Sequence, residues 1–92
     1  MHHTVTVAVP AEEVLARAKT FFAERVPNAS AYPEKEGARF LVLRGQGGEE
    51  IVISVAPADG GGTLVRASTL FFDQALDRFL STLGVVSSVQ VA

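Results

Sequence analysis

The chain has 92 residues, 48% of them hydrophobic and 20% charged, and a formal net charge of −2. A length of this order supports one hydrophobic core, so a single domain spanning 1–92 is expected, and the apolar content is too high for a disordered tail. Eight basic residues against ten acidic ones leave no cationic stripe for a nucleic-acid backbone, the short apolar runs exclude a membrane-spanning helix, and the absence of cysteine removes disulfides, thiolate nucleophiles and zinc–thiolate sites.

Thr4 to Val9 alternates, with Val5, Val7 and Val9 on one side and Thr4, Thr6 and Ala8 on the other, the period of a half-buried strand. Pro10 ends it and suits the first turn of a helix, where Glu12 and Glu13 also place negative charge at the positive end of the dipole. Val14, Leu15, Ala18, Phe21 and Phe22 recur at three and four, which makes one apolar stripe. This helix should stop before Pro27, because a residue preceding proline is pushed out of helical geometry. Asn28 to Gly37, with Pro33 and several charges, reads as a loop.

Three strands are expected next. Arg39 to Arg44 carries Phe40-Leu41-Val42-Leu43, apolar on both faces. Glu49 to Ala56 sets Ile51, Ile53 and Val55 against Glu50, Val52 and Ser54, and Thr63 to Thr69 sets Val65 and Ala67 against Leu64, Arg66 and Ser68. The connections Gly45–Gly48 and Pro57–Gly62 are short enough to demand antiparallel neighbours. Neither glycine run reads as a phosphate-binding loop, since strands follow them and no lysine–hydroxyl pair is present.

The second helix has the clearest signal. Phe72, Ala75, Leu76, Phe79, Leu80 and Leu83 fall on one stripe, with Thr69 as the expected N-cap and Gly84 closing the C-terminus. Val85 to Ala92 is valine-rich and suits a short edge strand. The expected architecture is α+β, an antiparallel sheet of four to five strands in the order β-α-β-β-β-α(-β), with two helices on one face.

The run from Gly62 to Ser68, feeding into Leu70-Phe71-Phe72-Asp73-Gln74-Ala75-Leu76-Asp77-Arg78-Phe79-Leu80, resembles the C-terminal hairpin and long helix of helix-grip proteins of the START-like and Bet v 1-like kind. The element order is also similar to a shortened TATA-binding-protein-like fold. The helix-grip resemblance implies a small apolar ligand between the sheet and the Phe72–Leu83 helix. The chain departs from both families. Full-size helix-grip domains have more strands, and DNA-binding members of the second fold use a basic, aromatic concave sheet, whereas here the strands carry only Arg39, Arg44 and Arg66 as cations.

No constellation for catalysis emerges. The only imidazoles, His2 and His3, sit at an end of the chain that is expected to fray, away from any serine they would have to activate. Glu49 and Glu50 should point to opposite faces, and Asp73 and Asp77 should share a solvated helical face. Met1-His2-His3 has the donor types for a Cu(II) or Ni(II) chelate, but three residues are too weak a basis for a metal site. The expectation is a non-enzymatic chain with no cofactor and no metal. With no basic–apolar leader after Met1, a cytoplasmic location is expected.

What remains is the sheet face away from the helices. If Val5, Val7, Ile51, Ile53, Val55 and Val65 face the helices, then Phe40 or Leu41, with Val52 and Leu64, lies on the other side, beside Arg66. Such a face is more apolar than solvent alone would select. Phe40, Val42, Val52, Leu64 and Arg66 are therefore the candidate interaction residues, and a second copy of the chain is the expected partner, through this face or a strand edge. Arg66, the one charge in the middle of a strand, is expected to pair with Glu50 across the sheet.

Overall fold

A computed structural model describes residues 2–24, 31–45, 47–70 and 72–91. The elements follow in the order β1 (His2–Val7), α1 (Ala11–Glu24), β2 (Ala31–Glu36), β3 (Phe40–Gly45), β4 (Glu50–Pro57), β5 (Thr63–Thr69), α2 (Asp73–Ser81) and β6 (Val85–Val91). The fold is α+β. All strands join one antiparallel sheet in the spatial order β2-β3-β4-β5-β1-β6.

Both helices lie on one face of that sheet. Their stripes, Val14, Leu15, Ala18, Phe21 and Phe22 from α1 and Ala75, Leu76, Phe79 and Leu80 from α2, join the alternate residues Val5, Val7, Leu41, Leu43, Ile51, Ile53 and Val65 in a single core. The doubly apolar strand resolves cleanly: Leu41 and Leu43 are buried under the helices, and Val42 alternates to the other side. Three aromatic rings lock the helices together, Phe21 to Phe22 at 5.2 Å between centroids, Phe21 to Phe79 at 5.4 Å and Phe22 to Phe79 at 5.7 Å.

The sheet has six strands because 31–36, expected as part of a loop, forms β2. The reason is its position. An edge strand pairs on one side only, so it tolerates Pro33, which lacks an N–H, and a register shift between Pro33 and Lys35. Only Ala31 is buried in β2, and Lys19 of α1 reaches Glu36 at 3.2 Å to hold the edge against the helix.

Several boundaries also move. The first strand begins at His2 rather than Thr4 and ends at Val7, and the Val9 carbonyl is instead taken by the Thr63 hydroxyl at 2.7 Å. Thr69 does not cap α2: its hydroxyl accepts the Phe72 N–H at 3.2 Å, one step outside a helix whose N-cap position is Phe72 itself. The helix ends at Ser81, before the left-handed Gly84 (φ 67°) turns the chain into β6. The expected helix stop before Pro27 and the environment of Phe71 lie outside the described residues. No helix among the described residues is long and apolar enough to cross a membrane.

Candidate functional site

The strand registers lay out the open face row by row. Thr4 opposes Arg66, Arg66 opposes Ser54, and Ser54 opposes Phe40. A second row runs His2, Ser68, Val52, Val42 and Lys35, and a third runs Thr6, Leu64 and Ala56. Val42, Val52, Ala56 and Leu64 are half-buried there with neither helix over them, while Arg66 is exposed. The structure thus brings Val42, Val52, Leu64 and Arg66 onto one continuous surface. Phe40, 42% exposed, belongs to the same row, but its ring leaves no room for a side chain at Gly37, and it borders a hollow shared with Leu15 and Lys19 of α1. It marks a corner of the face rather than its centre.

Arg66 does not pair with Glu50. The hairpin register places Ser54, not Glu50, opposite Arg66. Glu50 is four residues further along β4, roughly 13 Å at the rise of a strand. Glu50 instead sits directly across from Arg44, which binds it at 3.1 Å. Among the described residues no ion pair reaches Arg66.

Arg44 is heavily engaged. Its Nε and one terminal nitrogen donate to the two oxygens of Glu34 at 2.9 and 2.7 Å, and its other terminal nitrogen donates to the Gly48 carbonyl at 2.9 Å. The two-pronged hydrogen bond from Arg44 holds the Glu34 carboxyl below the ordinary carboxylate value, and the same bond, with the nearby charges, raises Arg44. A depressed carboxyl stabilises the fold only where it is ionised, so this contribution is present at neutral pH and disappears as acid protonates Glu34. Glu34→Gln should therefore lower the melting temperature slightly at pH 7, with the two melting curves converging below about pH 4. A difference that persists or grows in acid would contradict the assignment.

The histidines occupy opposite faces. His2 is exposed on the open face, while His3 is 5% exposed on the helix side, its Nε2 lying 3.4 Å from Asp73 Oδ1 in the first turn of α2. Asp73 is thus in contact with the sheet rather than only solvated, and the Met1 amine that the chelate considered above requires lies outside the described residues. Among the described residues there is no group of three or more His, Cys, Asp or Glu able to hold a metal ion. Glu49 lies outside β4 and accepts the Gly47 N–H at 2.9 Å, which closes the hairpin.

Two hollows indent the open face. One of about 150 Å³ is bordered by His2, Thr4, Val52, Ser54, Arg66 and Ser68. The next, about 290 Å³, shares His2 and Ser68 and continues past Glu49 and Glu50 to Leu70, which is 80% exposed. The placement of His2 at both hollows was missed in the sequence because the chain end was expected to fray. The signal was present: the alternation of His3, Val5 and Val7 against His2, Thr4 and Thr6 already runs back through both histidines. A separate groove of about 390 Å³ opens on the outer side of the helices between Arg17, Thr20, Phe21 and Thr82.

Comparison with family models, with curated proteins and with solved structures returns no match.

Proposed function

We propose that the chain is a small, non-enzymatic interaction module of the cytoplasm that self-associates through the open face of its sheet. The observation that carries this reading is the directly opposed pair Val42 and Val52, with a second apolar pair, Leu64 and Ala56, beyond the intervening Arg66–Ser54 row, all half-buried and covered by neither helix. Ser54 and Arg66 lie between the two pairs, and Thr4, Thr6 and Ser68 flank them. Hydroxyls both donate and accept, so the same patch can meet a copy of itself across a two-fold axis. A domain of this size also gains disproportionately from added burial, because alone it covers a smaller share of its surface than a larger one.

The helix-grip reading, a small apolar ligand between sheet and α2, has less support from the packing. Phe22, Phe79, Leu76, Ile51, Ile53 and Val65 fill that space and are each 0% exposed.

The test is sedimentation or light scattering across a concentration series. The native chain should dimerise, and Val52→Lys or Leu64→Lys should weaken association by about tenfold or more while circular dichroism and melting stay close to native. A native chain that stays monomeric at high micromolar concentration would defeat the proposal.

A further inference from the structure

We infer that the hollow between β4, β5 and β1 binds a small organic oxyanion, a carboxylate or a phosphate ester, with Arg66 as its principal contact. The argument begins with charge. Arg66 stands in the middle of the sheet without an ion pair among the described residues, whereas Arg44, the other arginine on this face, is held by both Glu34 and Glu50. Glu34 is thereby kept on the far edge strand, while Glu50, held by Arg44, borders with Glu49 the adjoining hollow and not the one at Arg66. Among the described residues no aspartate or glutamate borders the hollow at Arg66.

The surrounding groups suit an anion. Thr4 and Ser54 flank Arg66 directly in register, one from each neighbouring strand, and Ser68 follows on β5 with His2 opposite it. Three hydroxyls and an imidazole that can donate hydrogen bonds therefore ring a planar guanidinium, whose fork matches two oxygens of a carboxylate or phosphate. Size decides the rest of the ligand. A volume of about 150 Å³ holds the anionic head and little more, so the body of the molecule must extend along the adjoining 290 Å³ hollow toward Leu70. An oxyanion with a short body free of further negative charge fits that shape, because Glu49 and Glu50 line the second hollow. The site lies within one chain and does not depend on self-association.

The experiment is an amide NMR titration with inorganic phosphate and, separately, benzoate, each at constant ionic strength against chloride. Saturating shifts should centre on Thr4, Ser54, Arg66 and Ser68. Saturation with phosphate alone assigns the phosphate source, and saturation with benzoate alone the carboxylate source. Arg66→Gln should weaken binding by at least about tenfold, Arg66→Lys by less, and Arg78→Gln on α2 not at all. Changes no larger than with chloride, or binding that Arg66→Gln and Arg66→Lys leave intact, would overturn the inference. Sedimentation of the same samples separates the two ideas, since a strict monomer that saturates with an oxyanion defeats only self-association.

Discussion

Phe79→Ala is expected to lower the unfolding free energy by about 3–5 kcal/mol. Phe79 is fully buried, and its ring meets both Phe21 and Phe22, so truncation empties the junction at which α1 and α2 meet above the sheet. The surrounding groups cannot easily collapse into the gap, because Phe22 and Leu76 are themselves fully buried and fixed by their own helices. For a chain of this length total stability is roughly 5–14 kcal/mol, so the variant would lose a large part of it. Urea unfolding should show a much lower midpoint with little change in slope. Phe40→Ala, at the exposed corner of the sheet, should cost far less. A loss below about 1 kcal/mol for Phe79→Ala would mean that this junction is not tightly packed, and would return weight to a ligand cavity beneath α2.

How far the sequence discloses such a fold depends on what each residue must satisfy. The stripe of α2 and the alternation of β4 and β5 are readable because burial on one face dictates every second or every third and fourth residue. The same logic places Val42, Val52, Leu64 and Arg66 on the open face. Strand β2 escapes it, because only Ala31 is buried there and the rest of its pairing is made by backbone atoms, which leave no side-chain signature. The partner of Arg66 escapes for a different reason. Alternation fixes the face, but the hairpin fixes the position along the strand, and the Ala58–Gly62 turn sets Pro57 opposite Thr63 and hence Ser54 opposite Arg66. A register set by turn geometry cannot be recovered from the hydrophobic pattern when residues two steps apart have the same character. Hence the sequence placed Thr4, Ser54 and Arg66 on one face without showing that they stand side by side, and it did not point to the His2 imidazole.

That turn is also the place where a single methyl group should do most harm. Gly62 has φ of 84°, in the left-handed region, and a Cβ there would lie 2.6 Å from the Val7 carbonyl oxygen. Gly60 (φ 79°) and Gly61 (φ 100°) have similar backbones, but a Cβ at either meets open space. The three alanine variants therefore separate two costs. Gly60→Ala and Gly61→Ala carry only the conformational penalty, about 1–2 kcal/mol. Gly62→Ala adds a clash with backbone of the adjacent strand, which moves only by disturbing the Val7–Thr63 pairing, so about 2–4 kcal/mol is expected. Thermal and urea unfolding of all three would show the order, and equal losses would refute the steric part of the argument. The consequence reaches the open face. If the Gly62→Ala turn relaxes by shifting β1 against β5, Thr4 no longer sits beside Arg66, so the variant should lose oxyanion binding at temperatures where it is still folded, while Gly60→Ala should retain it.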